Sequence, residues 1–210
     1  GEIHVGLNKD QLTFLAENHS VKKVSRRDLG ISLAEKRHGA TTVSSPMHIA
    51  HTAGIPVFAT GGIGGVHRGG DYSFDVSQDL TALATIAMIV ISAGCKAILD
   101  IPKTLEMMET LGVTVLGYGV DEFPAFYSRC SGCFGIHRVD SPGGVATIYK
   151  KNISAGLLSS VLVANPVPKD NEISADEIES TIEAACEAAE ALKVIGKELT
   201  PFLLKEIVEK

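Results

Sequence analysis

At 210 residues the chain is long enough to bury a core without disulfide or metal staples, and its 45% hydrophobic and 21% charged content is that of an ordinary globular protein. A formal net charge of −6, with one short basic cluster at Lys22, Lys23, Arg26 and Arg27, excludes a nucleic-acid partner but leaves room for a small phosphorylated molecule. No apolar run reaches the length of a membrane span, no secretory signal pattern is present, and four cysteines do not make a disulfide scaffold, so a reducing, cytoplasmic setting is expected.

In chain order, strands and helices take turns. "EIHVGL" is expected to be a strand, "NKDQLTFLAEN" a short helix and "VKKVS" a second strand. "DLGISLAEKRH" and "TTVSSPMHIAHTAG" read as helices, the latter closed by Gly54 in the left-handed position that glycine tolerates. "IPVFAT" is a strand running into a glycine loop, followed by a helix over "SQDLTALATI" and a strand over "AMIVIS". "GCKAILDIPKTLEMMETLG" reads as one helix, and "VTVLGY" and "SSVLVANPV" as strands. Ser174 and Glu177 form a capping box for a helix whose buried face is marked by Ile178, Ile182, Ala185, Ala189 and Leu192, and Thr200 with Pro201 opens the last helix. The apolar "AMIVIS" implies burial on both faces. The expected fold is therefore a three-layer α/β/α sandwich on a largely parallel or mixed central sheet, forming a single domain over residues 1–210.

The stretch "FATGGIGGVHRGGDYSFDVSQDL" crowds glycines ahead of His67, Arg68, Asp71, Asp75 and Asp79. It fails the dinucleotide fingerprint, because His67 stands where a third glycine is required. It also fails the P-loop pattern, because Gly70 and Asp71 follow Gly69 where lysine and a hydroxyl residue are needed. What remains is an irregular loop at the carboxyl end of a strand, where open α/β sheets bind ligands. Its backbone is free to adopt positive φ and to bring N–H groups close to a ligand, or simply to form a surface loop.

"SAGCKAILDI" places Lys96 just after a buried strand, at a helix start, where partial desolvation and the helix dipole lower its amine pKa and make it a candidate Schiff-base nucleophile; the alternative is a solvated surface charge. Cys130 and Cys133 form a C-x-x-C pair without a second pair, and read as ordinary thiols.

Taken in order, "KVSRRDL", "TTV", "VFATGGIGGVHRG", "DVSQDL", "AGCKAILDI", "TLEMMETLGV", "GYGVDEFPAFYS", "VLVANPVP" and "GKELTPFLL" resemble the pseudouridine-5′-phosphate glycosidases, the indigoidine synthase A-like family. The resemblance implies reversible cleavage of the C–C glycosidic bond of pseudouridine 5′-phosphate to uracil and ribose 5-phosphate, a divalent cation, usually manganese, and a homotrimer. It implies that Lys96 forms an imine with C1 of the ring-opened ribose. That chemistry suits a C–C bond, which has no leaving heteroatom for a pair of carboxylates to protonate. It further implies that Lys23 contacts the sugar phosphate, that Val43, Ser77, Gln78 and Asp79 contact substrate, and that Asp75 ligates the cation, as a hard ion with several waters allows.

Neither His67 nor Arg68 receives a catalytic role, and Phe123, Phe126 and Tyr127 suit a core or an interface as well as a uracil platform. Gln78 stands where the family usually has alanine, and Cys95 where it has a small aliphatic residue. Family members also carry a general-acid glutamate on an earlier segment and an asparagine-rich segment beyond "TPFLLKEI". Two other readings therefore stand beside the glycosidase: a sugar-phosphate-binding module without turnover, and an aldolase-like Schiff-base lyase.

Overall fold

The structure, a computed structural model, describes residues 1–194 and 199–208. Its centre is a five-stranded, wholly parallel sheet. In chain order the strands are β3 (Val57–Ala59), β4 (Ile89–Ser92), β5 (Thr114–Tyr118), β6 (His137–Val139) and β7 (Val161–Ala164), and in space they run β3-β4-β7-β5-β6. A separate parallel pair, β1 (Lys22–Val24) with β2 (Gly39–Thr41), lies earlier in the chain.

The helices are α1 (Lys9–Glu17), α2 (Leu29–Ala34), α3 (Ser44–Thr52), α4 (Gly70–Ser73), α5 (Gln78–Thr85), α6 (Ile101–Thr110), α7 (Pro142–Ser154), α8 (Ala175–Ala191) and α9 (Leu199–Val208). They cover both faces of the large sheet. The central strand β7 shows this directly, because strand side chains alternate between faces. Leu162 and Ala164 enter the main core with residues of α5, α6, α8 and α9, whereas Val161 and Val163 enter a smaller core closed by Val145, Ile148 and Tyr149 of α7. Strand β4 behaves alike, with Val90 in the main core and Ile89 and Ile91 against the smaller one. The α/β/α expectation thus stands, with every strand pair parallel.

Several local expectations are corrected. "EIHVGL" is irregular: its alternation suits a strand, but among the described residues no strand pairs with it, and Ile3 and Val5 remain half-exposed. The helix expected over "DLGISLAEKRH" ends at Ala34, where Lys36 turns to φ +52°, and the chain then forms β2. Thr41 completes that strand, so α3 starts only at Ser44, while Gly54 does take the left-handed φ of +77° beyond its end. On α8 the buried face holds Ile178, Ile182, Ala185 and Ala189, but Leu192 caps the helix and is 66% exposed. Strand β6 and helix α7 went unread because "DSPGG" looks like a loop. Ser141 instead caps α7, its Oγ accepting from the Gly144 N–H, with Pro142 in the first turn, where a missing N–H costs nothing.

The correction that bears most on function concerns Lys96. Helix α6 begins at Ile101, capped by Asp100, whose Oδ1 accepts the Lys103 N–H at 3.0 Å. Residues 93–100 form a loop, so Lys96 is not at a helix N-terminus and the dipole does not act on it.

Candidate active site

The carboxyl ends of β1, β2, β3 and β4 bring four segments together. The loop after β3 and the loop after β4 lie side by side: Ile63 bridges to Cys95, the Lys96 N–H donates to the Ile63 carbonyl at 3.0 Å, and the Ile63 N–H donates to Gly94 at 3.1 Å. Further on, Val66 pairs with Val76 and His67 with Leu99, and the His67 N–H donates to the Asp75 carbonyl. The β1 and β2 ends are tied to each other by the Arg26 N–H, which donates to Ser44 Oγ at 3.2 Å, and to this group by Asp79, which accepts the N–H groups of Ser44 and Gly64.

The glycines serve this packing rather than a left-handed turn. Gly61, Gly62, Gly64 and Gly65 are not among the residues with positive φ; in the loop only Gly69 is. A Cβ on Gly64 would overlap Ser77 and Asp79, one on Gly65 would overlap Thr104, and one on Gly62 would meet the Phe126 ring. The expectation of positive φ is therefore replaced by one of close approach by neighbouring side chains.

Lys96 is half-buried, and burial pushes its amine below the ordinary lysine range; Asp79 opposes that shift and Lys23 adds to it. His67, 9% exposed, is likewise held low by burial, against the pull of Asp75 and with the repulsion of Lys23 and Lys96. Its Nδ1 lies 4.0 Å from Asp75 Oδ2. Lys23, His67, Asp75, Asp79 and Lys96 thus share one electrostatic environment, although 73 positions separate the first from the last in the sequence. Next door, burial raises the Cys95 thiol to about 12, so it stays protonated and acts as an apolar filler.

The other expected site residues are placed differently. Val43 is buried in the main core, and its carbonyl accepts the Met47 N–H, so its side chain is committed to packing. Gln78 Oε1 accepts the Arg27 N–H at 3.0 Å, and Ser77 Oγ accepts the Asp79 N–H at 3.2 Å. The first ties the start of α5 to the segment after β1, and the second caps α5 within its own first turn. Arg68 turns away to α8, where it forms a two-pronged pair with Glu179, and its Nη2 also donates to the Ala97 carbonyl at 3.4 Å. A cavity of about 930 Å³ elsewhere, lined among others by Ile3, Phe14, Leu33 and Phe58, contains none of the expected site residues.

Among the described residues no group of three His, Cys, Asp or Glu side chains could hold a metal ion. Partly exposed Asp75 can still supply one carboxylate oxygen to a hard cation that keeps most of its waters, so this donor fits such an ion as a single ligand. Two contacts had no signal in the sequence. The Arg68 to Glu179 pair spans 111 residues, and the Phe126 ring over Gly62 joins segments whose meeting no local pattern announces.

A family model described as indigoidine synthase A like protein matches residues 1–210. The chain belongs to this family. Among its indigoidine synthase A-like relatives is a protein of Nocardioides sp. named pseudouridine-5′-phosphate glycosidase, 52% identical over 209 residues, which takes in all of this chain and 68% of that one. A Deinococcus radiodurans protein of the same name is 50% identical, covering 67% of its length. The chain thus spans about two thirds of these relatives. An indigoidine synthase A-like protein of Thermotoga maritima has a solved structure that is 40% identical, with a TM-score of 0.88 over 97% of this chain and 66% of that one. The prealnumycin C-glycosynthase AlnA, solved with ribulose 5-phosphate, is 34% identical, with a TM-score of 0.89 over 97% of this chain and 67% of that one. Among the described residues no helix is long and apolar enough to cross a membrane.

Proposed function

We propose that this chain acts as a pseudouridine-5′-phosphate glycosidase, making and breaking the C–C bond between uracil and ribose 5-phosphate through an imine on Lys96. The observation that carries the reading is the half-buried Lys96 amine, set beside Lys23 and Asp79 in a chain half identical to proteins bearing that name.

The chemistry follows from the placement. A lowered amine pKa leaves more of Lys96 neutral near neutral pH, and the neutral amine is the nucleophile. Its nitrogen adds to the C1 aldehyde of open-chain ribose 5-phosphate to give a carbinolamine, which loses water to form the imine. Once protonated, the imine carbon accepts the electron pair of uracil C5, which gives up its proton, to make the C–C bond; in cleavage the Lys96 nitrogen lone pair re-forms the iminium as that bond breaks, and uracil C5 takes up a proton. Lys23 supplies a positive charge for the phosphate dianion. Its repulsion keeps the Lys96 proton loosely held, while Asp79 limits how far the amine pKa falls.

In this proposal His67, which burial keeps toward its neutral form beside Asp75, relays a proton at the carbinolamine stage. Asp75 would hold the divalent cation, manganese in this proposal, which when bound supplies a Lewis-acid charge for sugar oxygens. Assembly as a homotrimer completes the proposal.

The test joins two measurements. Ribose 5-phosphate with borohydride should label Lys96 covalently, and Lys96→Ala should abolish the label. Pseudouridine 5′-phosphate should release uracil, with a cation dependence that weakens in Asp75→Ala. Labelling without uracil release would favour the binding-module or aldolase-like reading; no labelling would overturn the imine.

A further inference from the structure

Phe126 occupies a backbone conformation that a bulky side chain rarely adopts, with φ +67°. The turn around it imposes that conformation. Ala125 and Ser128 bridge as an antiparallel pair, the Phe126 N–H donates to Ala93 at 3.1 Å, and Tyr127 bonds back to Ala125 and receives the Ile173 N–H. Strain held by surrounding bonds is a mark of a side chain whose direction matters.

That direction is toward the lysine. A Cβ placed on Gly62 would sit 2.5 Å from Phe126 Cε2 and 3.4 Å from Lys96 Cγ, so ring and lysine stem share the space above this glycine. The ring also packs against Tyr127, edge to face at 4.6 Å between centroids.

We propose that Phe126 is a positioning residue for Lys96: its ring, aimed by the strained turn, covers Gly62 beside the lysine stem and keeps water from the amine. The inference rests on the imine reading for its purpose, though not for its geometry. The charged and titratable groups around the amine are Asp79 from α5, Lys23 from β1 and His67 from the glycine loop. The turn of Phe126 itself adds only the Tyr127 hydroxyl, which burial keeps protonated. None of these changes when the ring is removed, so the ring's effect on the amine is one of solvation.

The experiment follows acetylation of Lys96 by acetic anhydride across pH on the whole chain, read by peptide mass spectrometry. Phe126→Gly should fold, because glycine takes φ +67° without strain, and Phe126→Asn, which also tolerates that region, gives the same reading if the glycine variant does not. In either variant the midpoint should rise toward the ordinary lysine value by about one pH unit, and Phe126→Leu, which keeps an apolar cover, should recover about half of the shift. A midpoint equal to wild type in a folded variant overturns the proposal. Borohydride trapping of wild-type Lys96 with ribose 5-phosphate is run beside it. If trapping fails while the midpoint shifts, the imine reading falls and the positioning role stands.

Discussion

The Asp79 carboxylate bridges two segments, accepting the Ser44 N–H at 3.0 Å with one oxygen and the Gly64 N–H at 2.8 Å with the other. Only 5% exposed, it ties the first turn of α3 to the glycine loop while biasing the Lys96 amine toward its charged form. Asp79→Ala should cost about 2–4 kcal/mol, because two buried amides lose a charged acceptor. Asp79→Asn should recover only part of this, since its amide presents one acceptor oxygen where two N–H groups arrive. Urea unfolding at neutral pH measures both.

The two glycines Gly61 and Gly64 should respond oppositely to an added methyl. At Gly61 the nearest atom to a Cβ is Phe126 Cε2 at 3.8 Å, an ordinary contact, so Gly61→Ala should change the unfolding midpoint little. At Gly64 the methyl would overlap Ser77 and stand 2.7 Å from the Asp79 Oδ2 that holds the residue's own amide. Overpacking and loss of that bond together should cost about 3 kcal/mol, and Lys96 labelling should fall as the loop shifts.

The Arg68 to Glu179 pair docks the front of α8 onto the glycine loop. Both side chains are partly exposed, so its worth is that of a well-formed surface pair, about 0.5–1 kcal/mol. Arg68, chiefly through its hydrogen bonds, holds the Glu179 carboxyl below the usual carboxylate range. A depressed folded pKa means that the unfolded chain binds the proton first as pH falls. The contribution is therefore full above the ordinary carboxylate pKa and is lost as pH drops through the lower folded value. Glu179→Gln should be less stable than wild type at neutral pH and low salt, with the gap closing in acid and in about 1 M salt. A gap independent of both pH and salt would mean that the residue acts by packing alone.

Legibility followed the range of the interactions. Helix α8 could be read because its capping serine and its apolar face of Ile178, Ile182 and Ala185 lie within a few turns of one another. The doubly covered sheet could be read because β4 and β7 carry apolar residues on both faces, which helices on each side bury, whereas the choice between a parallel and a mixed sheet was left to the structure. "EIHVGL" was misread for the complementary reason: alternation describes a surface that suits pairing, but pairing needs a neighbour, and among the described residues no strand pairs with it.

By itself, then, the sequence determined the three-layer α/β/α architecture and which polar residues stand in the glycine loop and just after the apolar strand. Those follow from periodicity and from residue chemistry, which are local. Only the tertiary structure decided that Lys96 stands half-buried in a loop rather than at a helix end, and what the glycines are for, the close approach of Ser77, Asp79, Thr104 and Phe126. The physical reason is that burial and contact depend on segments tens of residues apart arriving at one place, and no pattern within a single segment contains that information.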